Sequence, residues 1–299
     1  MNLPAARGIP VALIAVRVIK ALLVLLLIIP ITSHAWNAMG HMLVAQIAYN
    51  ELTPKAKTEV DKLSKIFATL YPKSNNFISA APWADDIKGH DIHVFDTWHY
   101  ININFSKDGS RYPKKINTPH VVWAIDEMTD ILKSKHALAH EKAVALQMLS
   151  HFVGDIHQPL HAASNYSKKH PQGDAGGNEF TLPGPAANLH MLWDNGVNTF
   201  ALAPRRPLTK QQAQSVAQKA RALSTLYISR RDPRLKKQHA MDWAYESQRI
   251  ALYKVYENIT EHKRPSATYL KTNSAIAEQQ IVLAGYRLAR RINTIFDDK

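Results

Sequence analysis

Apolar residues recur at three- and four-residue spacing over residues 38–50, 54–70, 118–135, 139–157, 208–226, 239–260 and 274–296, which predicts a helix over each. No stretch of comparable length shows the strict alternation of a half-buried strand. Two of these segments open on Thr-Pro, at Thr53-Pro54 and Thr118-Pro119. That pairs an N-cap hydroxyl with a proline at the first helical position, where no backbone N–H is needed. The last segment keeps Ile281, Leu283, Ala284, Tyr286, Leu288, Ala289, Ile292 and Ile295 apolar and reads as core, with Arg287, Arg290 and Arg291 expected as solvated charges. Between Asn165 and Asn188 the pattern gives way to a polar stretch rich in glycine and proline, a long loop of the kind that shapes a cleft beside a site. The expected fold class is all-α. With no internal repeat, low-complexity tract or linker, residues 36–299 are expected to form a single mostly helical domain.

Ahead of that domain the pattern changes character. Residues 21–29 are uninterruptedly apolar, Arg7, Arg17 and Lys20 precede them, and Ser33-His34-Ala35 follows as a small-x-small cleavage pattern. The run is shorter than the roughly 20 residues of a bilayer span. Residues 1–35 therefore read as a secretory signal peptide, giving a secreted or periplasmic protein with no stable membrane association once the signal is removed. Cleavage after Ala35 would also create a free α-amino group on Trp36. Its unperturbed pKa is about 7.7, so a divalent cation can hold it neutral while the Trp36 carbonyl closes a chelate ring. His41 lies five residues further on.

Composition narrows the classes. A chain of 299 residues with 46% apolar content can bury a full core, which excludes a disordered chain. Cysteine is absent, so neither disulfides nor thiolate ligands are available. The formal charge is +13, and removing the signal takes away three basic residues and no acidic one, leaving +10. Such an excess favours polyanionic partners.

The densest chemistry lies in His151-Phe-Val-Gly-Asp155-Ile-His157-Gln-Pro-Leu-His161. On a helix His151 and Asp155 share one face at i and i+4, and Pro159 then breaks the helix so that His161 arrives from a loop at another angle. Histidines here could instead complement a helix C-terminus. Two further pairs, Asp85 with His99 and His190 with Asp194, weigh towards metal. Trp36, His41, Asp85, His99, His151, Asp155, His161, His190 and Asp194 supply enough nitrogen and carboxylate ligands for three ions, and a set without thiolate suits zinc. His157 is expected beside the metals rather than on them, Asp174 and Glu179 are expected to have no direct role, and Asp86, next to Asp85, is a rival ligand that only a family resemblance disfavours.

The ordered set Trp36…Gly40-His41, Trp83-Ala-Asp85, His99-Tyr100, His151-x3-Asp155-x-His-Gln-Pro-Leu-His161, Gly176-Gly177-Asn178 and Asn188-Leu-His190-x3-Asp194 resembles the S1/P1 nuclease family, zinc nucleases similar in fold to bacterial zinc-dependent phospholipases C. The resemblance implies three Zn2+. The first would be held by Asp85, His99, His151 and Asp155, the second, bridged through Asp155, by Trp36 and His41, and the third by His161, His190 and Asp194. It also implies that Asp85 orients the attacking hydroxide, and that Lys88 and Asn178 contact the scissile phosphate. Expected products carry 5′-phosphates, with 3′-nucleotidase activity as a further possibility. Tyr100 could stack on an unpaired base, which would favour single strands, or could be an ordinary core aromatic. The substrate expected is single-stranded DNA or RNA, or a nucleotide. No protein partner is evident, and a monomer is expected. The alternatives are a phospholipase C with the same metals and a non-catalytic periplasmic zinc-binding protein. Asp194, where the lipases carry a glutamate, resembles the nucleases.

Overall fold

The computed structural model describes residues 36–200, 203–227 and 232–297. The predicted signal peptide lies outside them. Helices dominate the described residues. Helix α1 (Ala38–Asn50) is capped by Asn37, whose side chain accepts the Gly40 N–H, and α2 (Pro54–Leu70) opens on the Thr53 cap and Pro54 as the sequence predicts. Two short helices, α3 (Phe77–Ala80) and α4 (Trp83–Asp86), follow. The 3-10 turns Ile87–His90 and Asp96–His99 then lead to strand β1 (Ile103–Phe105).

Helix α5 runs Val121–Lys133, starting later than expected, because His120 and not Thr118 caps it: His120 Nδ1 accepts the Trp123 N–H at 3.1 Å. Helix α6 (Ala139–Asp155) ends at Asp155, and Pro159 opens the 3-10 turn Pro159–Ala162. His161 thus sits on a turn of 3-10 helix where an irregular loop was expected. Strand β2 (Ala163–Asn165), helix α7 (Leu189–Asp194) and helix α8 (Lys210–Tyr227) come next. Helix α9 (Ala240–Ile250) passes into a π-helical turn, Ala251–Val255, which ends the segment predicted to reach residue 260. Helix α10 (Ala267–Asp297) begins seven residues before the predicted segment does, and Tyr269 in its first turn is already buried.

The two strands pair in parallel, Ile103 opposite Ala163 and Phe105 opposite Asn165. Neither was legible in the sequence, since three residues are too few for a period-two pattern. They leave the all-α class intact.

Helix α1 lies at the centre of the core and packs against α10, α8 and α6, while α6 also packs against α5 and α2. Gly285 makes the α1–α10 crossing close: a Cβ there would stand 2.5 Å from Ile47 Cγ2. Helix α1 is apolar nearly all round, burying Met42, Leu43, Val44, Ala45, Ile47 and Ala48, as a central helix must. His41 is buried among them and belongs to the site. No described helix is long and apolar enough to cross a membrane.

Candidate metal centre

Burying histidine and aspartate side chains in an apolar core is costly unless each polar atom is satisfied. His41, His99, His151, Asp155, His161, His190 and Asp194 are nevertheless all buried, and Asp85 is only 8% exposed. They arrive from six elements. His41 comes from α1, Asp85 from α4, His99 from the second 3-10 turn, His151 and Asp155 from the last turn of α6, His161 from the third 3-10 turn, and His190 and Asp194 from α7.

Asp155 stands where the first groups meet. His99 Nδ1 lies 3.0 Å from its Oδ2, His151 Nε2 3.4 Å from the same oxygen, and His41 Nε2 3.4 Å from Oδ1. Asp85 faces the cluster, its oxygens 3.6 Å from His151 Nε2 and 3.7 Å from His99 Nδ1. The His41 and His151 rings stack at 3.8 Å. In the third group His161 Nε2 and His190 Nε2 lie 3.0 Å apart, with Asp194 Oδ1 3.5 Å from the latter. Three sets therefore place their ligand atoms within 4.8 Å of one another: His41, His151 and Asp155; Asp85, His99 and His151; and His161, His190 and Asp194.

The hydrogen bonds behind these rings decide what their free nitrogens are. His151 Nδ1 donates to the Ala81 carbonyl at 2.8 Å, His161 Nδ1 to the His99 carbonyl at 2.7 Å, and His190 Nδ1 to the Gly176 carbonyl at 2.7 Å. Each bond fixes a ring proton on Nδ1, and Nε2 is a bare lone pair in His161 and His190. At His151 burial is outweighed by Asp155 and Asp85, which raise its pKa to about 8, so a metal there takes the place of a proton on Nε2. Two such lone pairs facing each other at 3.0 Å, as in His161 and His190, repel unless a cation or a proton lies between them. Buried Asp155 Oδ1 and both nitrogens of His41 have no hydrogen-bond partner. This donor set fits divalent metal ions, and its nitrogen and oxygen chemistry fits zinc.

Electrostatics point the same way. Burial lowers the pKa of His41, His99 and His161, reinforced by nearby positive groups, and burial takes His190 down to about 4, so these rings stay neutral, the form that binds metal. Burial also raises Asp155 and Asp194 well above the usual carboxylate range. Carboxylates that resist ionisation in this way are held ionised by an adjacent cation.

Other positions support the cluster. Trp36 is fully buried, its indole Nε1 donating to the Gly154 carbonyl at 2.9 Å, one residue before Asp155. The Asn37 N–H donates to the Asp194 carbonyl at 2.8 Å, tying the start of α1 to the third group. Gly154 is a tight point, because a Cβ there would lie 2.9 Å from His41 Nδ1. Lys88 Nζ sits 3.0 Å from Asp85 Oδ1; burial works against its charge, but Asp85 and Asp155 outweigh burial and raise its pKa. Asn178 is half-buried on the Gly176-Gly177 turn, its Nδ2 donating to the Ala175 carbonyl at 2.8 Å. Tyr100 is 39% exposed, which removes the core-aromatic alternative.

The residues set aside on sequence grounds have other work. Asp86 pairs with Arg206 at 2.6 Å. Asp174 accepts the Asn165 N–H and the Tyr256 hydroxyl, and Glu179 faces His170. His157 turns its ring away from the metal ligands, towards α10. Two contributors escaped the sequence reading. Gln158 donates to Asp194 Oδ1 at 2.7 Å, its only signal being its place inside the histidine-rich motif. Arg287 is not a solvated charge but 1% exposed, bonded to His157, and nothing in the sequence around it distinguishes it from Arg290.

The S1/P1 nuclease family profile matches residues 36–297. The chain belongs to the S1/P1 nuclease family. Among its relatives, Endonuclease 4 of Arabidopsis thaliana is 29% identical over 287 residues, covering 88% of this chain and 90% of that protein. Nuclease S1 of Aspergillus oryzae is 26% identical over 283 residues, with 88% and 92% covered. Nuclease P1 of Penicillium citrinum matches a shorter part, 27% identical over 173 residues, covering 53% and 57%. Family membership makes this a nuclease, a hydrolase of phosphodiester bonds, with a helical fold, and its buried His and Asp groups can hold metal.

Proposed function

We propose that the protein is an exported, monomeric endonuclease that uses three zinc ions to cleave single-stranded DNA and RNA, leaving 5′-phosphates, and that it also removes 3′-phosphates from nucleotides. The observation that carries the reading is the position of Lys88: a cation at 3.0 Å from Asp85, at the edge of a cluster of metal-ready side chains. Metal storage would gain nothing from a lysine there, whereas an ammonium bonded to one carboxylate oxygen keeps two further protons to offer a phosphodiester.

Asp85, His99, His151 and Asp155 would hold one ion, His41 with Asp155 and the freed Trp36 amine and carbonyl a second, and His161, His190 and Asp194 a third. Bound zinc supplies positive charge against the phosphate and lowers the pKa of water towards 7. The residues supply placement. Asp85, kept ionised against its burial by His151 and Lys88, accepts a hydrogen bond from the attacking water and orients it towards phosphorus. The Lys88 ammonium and the second Nδ2 proton of Asn178 face the non-bridging oxygens, where charge builds as the P–O3′ bond breaks. Tyr100, exposed directly after His99, offers its ring to a base, a contact worth about 1–3 kcal/mol and open only to an unpaired one. Export follows from residues 1–35, and the Trp36 ligand depends on their removal.

The test is the chain starting at Trp36, loaded with zinc and assayed side by side on single-stranded DNA, RNA, duplex DNA and phosphatidylcholine. Chelator-sensitive cleavage of single strands to 5′-phosphate ends is expected. Release of phosphocholine with no nucleic-acid cleavage would overturn the reading.

A further inference from the structure

Both strands start just beyond metal-ligand residues, β1 four residues after His99 and β2 two after His161, and they run in parallel. Their continuations therefore emerge on the same side. There the segment following β1 and the segment following β2 join: the Lys168 N–H donates to Asp108 Oδ2 at 2.8 Å, and the Tyr112 and Tyr166 rings meet at 6.2 Å. Asn104 Nδ2 donates to the Pro113 carbonyl at 2.9 Å and ties the first segment back to β1. The result is a fixed platform rather than two loose loops.

Its charge is one-sided. Arg111, Lys114, Lys115 and Lys168 are exposed, and none makes an ion pair among the described residues. The carboxylates around them are taken. Glu257 pairs with Lys107 at 2.8 Å, Glu261 with Lys169 at 2.7 Å and His170 at 3.1 Å, and Asp108 accepts bonds from Ser106, Ser110 and the Lys168 backbone. Tyr112, 39% exposed, adds an aromatic face among the cations. Unpaired cations around an exposed aromatic ring are what a single strand requires: phosphates for the charges and a base for the ring.

We propose that the Arg111–Lys115 segment and Lys168 form a second binding surface, which holds the nucleic-acid strand several nucleotides away from the bond being cut. The proposal rests on the nuclease reading for the identity of the strand. Six residues separate His99 from the end of β1, a path of at most about 20 Å at about 3.3 Å per residue, and Arg111–Lys115 lie a further six to ten residues along the chain. Single-strand surfaces of about 4–16 nucleotides are ordinary. So placed, beyond the end of β1, the surface acts on strands long enough to extend past that strand and leaves a dinucleotide, which fills only the metal centre, unaffected.

The test compares the zinc-loaded protein with its Arg111→Glu, Lys114→Glu, Lys115→Glu triple variant. The three positions are exposed, so folding is unaffected. With a thymidine 20-mer the triple variant is expected to show a KM raised about tenfold or more at unchanged kcat, with its salt dependence reduced by a slope of about 2 for three lost phosphate contacts at roughly 0.7 each. Thymidine dinucleotide kinetics should not change. Anisotropy of a labelled 20-mer, measured with the holoprotein carrying Lys88→Ala to slow hydrolysis, should show the same loss of affinity on adding the triple change. Unchanged 20-mer binding, or equal losses on the dinucleotide, would overturn the proposal. So would loss of binding to phosphatidylserine vesicles with 20-mer binding intact, which would make the surface a membrane contact. If the parent protein cleaves neither substrate while 20-mer binding still depends on these cations, the nuclease reading fails and the surface stands.

Discussion

Arg287 on α10 donates to His157 Nε2 at 2.9 Å and, through its other Nη, to Glu246 at 2.6 Å and to the Arg234 carbonyl at 2.9 Å. His157 Nδ1 in turn donates to the Val153 carbonyl at 2.7 Å, so the ring is neutral and Nε2 accepts. Gln280 and Ser247 bond the carbonyls of His157 and Ile156. The turn between Asp155 and His161, which separates two metal groups, is thereby clamped to α9 and α10. The guanidinium also lies over Trp243, 5.4 Å from the ring centroid.

Replacing Arg287 with methionine keeps the bulk and removes the clamp. Breaking a buried charged pair costs about 3–5 kcal/mol, and Glu246 is partly exposed here, so a loss of about 2–3 kcal/mol is expected. Denaturant unfolding of the Arg287→Met variant checks this. A loss under about 0.5 kcal/mol would mean the clamp is not under tension of any consequence.

His157 and His161 lie four residues apart yet should behave oppositely. His157→Gln is expected to keep full zinc content, because its nitrogens are used by Val153 and Arg287. His161→Ala is expected to lose about one ion per chain. Atomic absorption on the dialysed proteins tells them apart, and zinc loss from the His157 variant would make that residue a ligand.

The same histidine shapes the pH dependence of stability. Burial first, and Arg287 second, hold its folded pKa well below that of the unfolded chain, near 6.5. Below that pH the unfolded chain takes up a proton that the native ring refuses. The contribution is therefore complete above about pH 6.5 and lost as pH falls, by up to about 1.4 kcal/mol per unit. His157→Gln should show a shallower decline between pH 7.5 and 5 than the parent. Parallel pH profiles for the two proteins would refute the assignment.

Gly154→Ala should damage the site without touching a ligand. The new methyl would stand 2.9 Å from His41 Nδ1, and both atoms sit on packed helices with little room to give. A fall in zinc content with activity reduced tenfold or more is expected, along with a Tm drop of several degrees. Normal zinc content would show that His41 can move away unharmed.

An extension ahead of Trp36, whether an uncleaved signal or a tag, should abolish or greatly reduce activity by replacing the α-amine with an amide. Mass spectrometry must confirm the intact extension, and full activity in that form would remove Trp36 from the ligand set.

Much of the fold was legible because helix periodicity is a local property. Helices α1 and α2 have the predicted bounds, and Pro159 marks the end of α6 from the sequence alone. The strands were not legible, since their three-residue pairing is decided by His99 and His161 being drawn to one place. Arg287 was misread for a related reason: position on a helix face tells which residues point together, but not which neighbour covers them. His120 displaced Thr118 as a cap because both residue types can accept an N–H, and only the path of the chain selects between them.

The sequence by itself determined the kinds of ligand, the i, i+4 pairs His151–Asp155 and His190–Asp194, and the absence of thiolate, since these depend on residue identity and helical repeat alone. Tertiary structure decided the rest. It brought Asp155 against His41 and His99 from two other stretches of chain, put each ring proton on Nδ1 through the carbonyls of Ala81, His99 and Gly176, and turned His157 away to Arg287. Those outcomes depend on which backbone carbonyl or charged group stands within 3 Å of a ring, and such neighbours, far apart in the chain, are set only when the helices pack.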